Sequence, residues 1–130
     1  MKIFTPLFLT VFLSGCSLMV VPSFWDANQA ESVINIQVAV EQLDCENVTY
    51  KQIDKITSEI TWFQTYSESS GWRHQDMIEL IEPLDETVDS FAERYHREGT
   101  VNSVYCGLKK KNMMLQSQRV SEAVLGRFKL

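Results

Sequence analysis

From Val33 to Val124 the apolar residues of this chain return every three or four positions and almost never every second one. A side-chain period near 3.6 belongs to helices and a period of two to strands. That spacing restricts the chain to an all-α fold, and four helices are expected. The first runs from about Phe24 to Asp44, with Val33, Ile36, Val40 and Leu43 on one stripe and Ser23, after Pro22, as its candidate cap. The second begins at Thr49, which stands at capping-box spacing from Gln52. It carries Ile53, Ile56, Ile60 and Phe63 and ends in the turn Ser67-Glu68-Ser69-Ser70-Gly71.

The third helix, from about Trp72 to Arg97, places Met77, Leu80, Ile81, Leu84, Val88, Phe91 and Tyr95 at helical spacing, and Gly99 terminates it. Pro83 lies inside it. Proline removes one backbone bond and disfavours the helical state of the residue before it, so a kink or two shorter helices are expected there. The fourth, from roughly Asn102 to Gly126, has Val104, Leu108, Leu115, Val120 and Val124 on a stripe that drifts around the axis. Such drift is tolerable if the two halves meet different neighbours.

The chain ahead of these helices is chemically different. Lys2 is followed by an uncharged run from Ile3 to Val21, the mark of a targeting or anchoring segment. Its first part, Ile3 to Leu13, is too short to cross about 30 Å of hydrocarbon at roughly 1.5 Å per helical residue. It closes on Leu13-Ser14-Gly15-Cys16. This stretch resembles the lipobox of bacterial lipoproteins, in which an aliphatic residue, two small residues and a cysteine guide a dedicated signal peptidase. The resemblance implies a signal peptide over residues 1–15, a lipidated Cys16 with a short linker over 16–23, and a helical domain over 24–130. The chemistry is consistent: Ser14 and Gly15 fit a narrow protease groove, and the thiol is the one local group suited to a thioether. Ser17, where an aspartate would retain a lipoprotein at the inner membrane, implies the inner leaflet of the outer membrane, facing the periplasm. Without cleavage, the run from Ile3 to Val21 approaches the ~20 residues of a transmembrane helix, weakened by Pro6 and Gly15.

An oxidising periplasm, implied by that resemblance, favours a disulfide between the remaining cysteines, Cys45 and Cys106; the alternative is two buried free thiols. With about 60 residues enclosed, such a bond would contribute roughly 4 kcal/mol. Short loops between long helices favour an up-down-up-down four-helix bundle. In that topology Cys45, closing the first helix, and Cys106, opening the fourth, share one end and can meet.

Charge is unevenly distributed. Residues 26–98 hold 16 acidic and 5 basic side chains, a balance of −11, whereas residues 99–130 hold one acid and six bases. The acidic balance and the compartment exclude nucleic acid as a partner. Trp25, Trp62 and Trp72, with Phe24, Phe63, Tyr66 and Phe128, fall near the membrane-proximal end, either as an aromatic plug of the core or as an interfacial belt supported by Arg127 and Lys129. The linker Ser17 to Ser23 spans at most about 25 Å, so membrane contact by Trp25, Arg127 and Lys129 is within reach. Lys109, Lys110 and Lys111 open the basic segment at the distal end. They read as a solvated face, as partners for Asp44, Glu46 and Glu98, or as a contact for an anionic protein surface.

Signals for catalysis are weak, although a glycosidase-type carboxylate pair has no spacing rule by which the sequence would exclude it, which leaves a hydrolase as a third reading. His74 and His96 fall at opposite ends of the third helix and cannot share a metal, and neither has zinc-site spacing. No serine stands in a nucleophile elbow, and Glu79, Glu82, Asp85, Glu86 and Asp89 read as a wet face. No cofactor is expected. The expected function is therefore that of a non-enzymatic, membrane-anchored protein that binds another envelope protein; the alternative is an inhibitor or accessory factor of a cell-wall hydrolase. The runs SESSGWRHQDM, LIEPLDETV and AVLGRF resemble small lipoproteins of tailed phages, which implies a role in lysis or in superinfection exclusion. Proline-rich outer spanins differ from this chain, whose mature part carries only Pro22 and Pro83.

Overall fold

A computed structural model describes residues 25–71 and 74–127. These residues form four helices, α1 (Ala27–Glu41), α2 (Tyr50–Ser69), α3 (Gln75–Glu98) and α4 (Ser103–Gly126), and contain no strand. Capping chemistry sets most of the boundaries. Asp26, in extended conformation, accepts from the backbone N–H groups of Asn28 and Gln29 and starts α1; the cap is Asp26 and not Ser23, which lies outside the described residues. At Thr49 the expected capping box is complete: Thr49 Oγ1 accepts from Gln52 N and Gln52 Oε1 accepts from Thr49 N, a motif that contributes about 1 kcal/mol. Asn102 accepts from Val104 N and Tyr105 N to open α4. At the end of α3, Gly99 adopts φ +71°, where a side chain would be strained, and its N–H donates to Tyr95 O at 2.7 Å.

Pro83 does not divide α3 into two helices: the element is continuous from Gln75 to Glu98. Pro83 and Glu79 both lie on the exposed side, so the carbonyl deprived of its N–H partner is where water can serve it.

Each helix packs against two others: α1 and α3 both touch α2 and α4, while the diagonal pairs α1–α3 and α2–α4 do not meet. The helices therefore occupy the corners of a square around one core. Gln29 in the first turn of α1 meets Ser67 near the end of α2, and Tyr50 in the first turn of α2 packs on His96 near the end of α3. Antiparallel neighbours join starts to ends in this way. Cys45, just after α1, is bonded to Cys106 in the first turn of α4, with 5.4 Å between Cα atoms, inside the usual span of such bonds.

The expected stripes of α1 and α2 are buried without exception, Val33, Ile36, Val40 and Leu43 against Ile53, Ile56, Ile60 and Phe63. From α3 come Met77, Ile81, Leu84, Val88 and Phe91, with Leu80 and Tyr95 at the margin. α4 departs from expectation. Val120 and Val124 are buried, but the rest of its inner face is Cys106, Met113, Ser117 and Ser121, and Val104, Leu108 and Leu115 are exposed. The apparent drift of its stripe is two separate stripes on opposite faces.

Candidate functional site

At the end where α1 begins, a polar network ties the helices together. Asp26 caps α1 with Oδ1, and its Oδ2 accepts from Tyr66 OH at 2.8 Å; Tyr66 in turn accepts from Asn28 Nδ2 at 3.0 Å. Gln29 is fully buried, and its Nε2 donates to Ser67 Oγ at 3.2 Å and lies 2.9 Å from His74 Nδ1. Leaving the buried Gln29 amide N–H or the Ser67 hydroxyl without a partner would cost about 1–3 kcal/mol. His74 thus serves in joining α1 to the start of α3. His96 packs at a tilt of 59° against Tyr50 at the other end, and no cluster of metal-ligating side chains occurs among the described residues.

Among the described residues, the aromatic side chains at this end do not form one plug. Phe63 is buried in the core, whereas Trp62 is 46% exposed and Trp25 is 45% exposed. Trp62 lies parallel to Tyr66, with 5.0 Å between ring centroids and 6° between planes. Arg127 is turned inward, only 12% exposed, and donates from Nη2 to Asp76 Oδ2 at 2.5 Å; it joins α4 to α3. Phe24, Trp72, Phe128 and Lys129 lie outside the described residues, as do Cys16 and the whole of residues 1–24.

The three adjacent lysines point to three different tasks. Lys110 Nζ donates to the carbonyls of Glu41 and Leu43, both at 2.8 Å, so it closes the C-terminal end of α1 where a cation is favoured by the helix dipole. Lys109 Nζ lies 5.7 Å from the Tyr105 ring centroid, and the Arg94 guanidinium stands 3.9 Å from the same centroid. Lys111 alone stands fully on the exposed side. The expected pairing with Glu98 goes instead to Arg94 and Arg97.

The outward face of α4 is the feature that apolar periodicity misassigned. Val104, Leu108, Leu115 and Leu125 are exposed, Val104 by 70%. With Lys111, Gln118 and Glu122 between them, these positions follow an alternating spacing of four and three, the seam of a helix that packs against another helix. α1, which packs against α4, also exposes Ile34 and Val38. A count of that spacing separately for each face, in place of one drifting stripe, reveals the seam in the sequence alone.

The carboxylates of α3 are largely the expected wet face. Asp85 accepts from Gln64 Nε2 at 2.9 Å. Partial burial, followed by the neighbouring Asp85 charge, raises the Asp89 pKa above its ordinary value.

No helix among the described residues is long and apolar enough to cross a membrane. A four-helix bundle carrying one disulfide, with a second apolar seam facing outward, is the class that these features define. No family model, curated protein or solved structure matches the chain.

Proposed function

We propose that this chain is a lipid-anchored protein of the bacterial cell envelope, held through Cys16 at the inner leaflet of the outer membrane, that binds another envelope protein and catalyses no reaction. One observation carries the binding role. α4 already fills its place in the core with one face, yet it presents a second apolar seam over about 32 Å, from Val104 to Leu125. Exposed apolar surface of that length is a burden in water unless something covers it. Lys111 interrupts the seam and Arg119 borders it, against the single acid Glu122, so the fitting partner offers an apolar helix face edged with acidic side chains. The uncharged segment and its Leu13-Ser14-Gly15-Cys16 ending support the anchor, and the Cys45–Cys106 bond suits an oxidising compartment. In a phage setting such binding would serve lysis or superinfection exclusion. An inhibitor or accessory factor of a cell-wall hydrolase would use the same seam, and its partner would be a muramidase.

Intact-mass measurement of the chain isolated from membranes tests the anchor: residues 1–15 should be missing and acyl mass should sit on Cys16. An unmodified full-length chain would end that part of the proposal. For the seam, Leu108→Asp with Leu115→Asp should abolish co-purification of a stoichiometric partner while leaving the melting temperature near that of the unchanged protein. Retention of the partner by this variant would contradict the assignment.

A further inference from the structure

We propose that the groove between α1 and α2 is a binding site for an oligosaccharide, with the open face of Trp62 as its platform. The groove encloses about 300 Å³ and is lined by Asn28, Glu31, Ser32, Asn35, Glu59 and Trp62, at the lower end of the range of about 300–1,000 Å³ for small-molecule sites. It lies on another side of the molecule from the α4 seam and does not depend on the function proposed above.

The platform is held in place before any ligand arrives. One face of the Trp62 indole rests parallel on Tyr66, whose hydroxyl is fixed by Asp26 and Asn28. The indole is nevertheless half-exposed. A rigid, flat, apolar surface flanked by polar groups complements a pyranose ring, which is apolar on its C–H face and polar around its rim.

The polar lining has free capacity of the right kind. Glu31 and Asn35, both exposed, make no side-chain hydrogen bond among the described residues; the Ser32 hydroxyl is also unpartnered but lies buried, out of a ligand's direct reach. Glu59 is neutralised by Lys55 at 2.6 Å, which leaves Glu31 as the one uncompensated charge. Amide and hydroxyl groups both donate and accept, as sugar hydroxyls do. A cationic ligand would use only the acceptors and leave the exposed Asn35 amide N–H groups to water.

Further recesses adjoin the groove along the surface of α2, the nearest of them lined by α2 residues alone. Trp62 walls a second recess of about 500 Å³ with Thr61 and Thr65, and this shares Asp54 and Ser58 with a third of about 430 Å³ beside Lys51 and Gln52. Together they follow α2 from Thr65 to Lys51, about 21 Å at 1.5 Å per residue. That length suits a chain of sugars better than a single ring.

The test is a calorimetric titration of the full chain, in a detergent without a sugar headgroup, with tetra-N-acetylchitotetraose, with maltotetraose and with spermidine. Saturable binding of at least one tetrasaccharide is expected, weakened about tenfold or more by Trp62→Ala and less by Asn35→Ala, with helical content unchanged in both. The proposal is overturned if neither sugar binds saturably, if Trp62→Ala binds as well as the unchanged chain, or if spermidine binds more tightly than both sugars. The α4 variant Leu108→Asp with Leu115→Asp should bind the sugar normally, so the two surfaces stand or fall separately.

Discussion

α3 and α4 have the same length, 24 residues, and occupy neighbouring corners of the bundle. Yet they divide their side chains differently. α3 sends Met77, Ile81, Leu84, Val88 and Phe91 into the core and keeps acids such as Glu82, Glu86 and Asp89 on its exposed side. α4 fills the core with smaller and more polar residues, including Ser117 and Ser121, and exposes Val104, Leu108 and Leu115. A helix that only had to complete the bundle would follow the α3 pattern. The apolar outer face of α4 does nothing for the packing of this chain, which makes it the face to examine for binding.

The comparison breaks if outer apolar residues of α4 carry as much stability as inner ones. Phe91→Ala in α3 should cost about 3–5 kcal/mol and Met113→Ala on the inner face of α4 about 2–5 kcal/mol, measured by denaturant unfolding. Lys110→Met removes the charge that closes α1 while keeping much of the stem, and should cost about 1 kcal/mol. Leu108→Ala should change stability by less than about 0.5 kcal/mol; a loss equal to that of Met113→Ala would erase the distinction between the two faces.

The smallest effect concerns the exposed side of α3. The Asp89 carboxyl titrates higher in the folded chain than in the unfolded one, so the folded state holds its proton longer. Stability therefore falls as pH rises through that interval. Asp89→Asn should remove this loss and be slightly more stable at neutral pH, by at most about 0.5 kcal/mol because solvent screens the exposed pair. In acid, where the carboxyl is protonated, the two proteins should unfold alike.

Much of the architecture was legible because it rests on local rules. The Thr49–Gln52 box, the Gly99 terminus and the stripes of α1 and α2 need only neighbours a few residues away. The start of α1 was not legible, since Ser23 and Asp26 are both capable caps; the second oxygen of Asp26 also serves Tyr66, 40 residues on. The inner face of α4 escaped a reading of apolar residues because Ser117 and Ser121 are small rather than apolar. The network of Gln29, Ser67 and His74 was hidden for a similar reason: nothing in a polar side chain's type announces that it will be buried. Of the site residues, the three lysines were found as a cluster, but their separation into one cap, one ring contact and one exposed charge depends on which helices lie beside them.

The division between the two helices is tested most directly by crosslinking from inside the cell that makes the protein. A photoreactive residue is placed at Leu115 on the outer face of α4 or at Glu86 on the outer face of α3, one position at a time in the full chain. A single discrete adduct with one envelope protein is expected from position 115 and none from position 86. Equal labelling from both positions, or none from position 115, would contradict the assignment of α4 as the binding face.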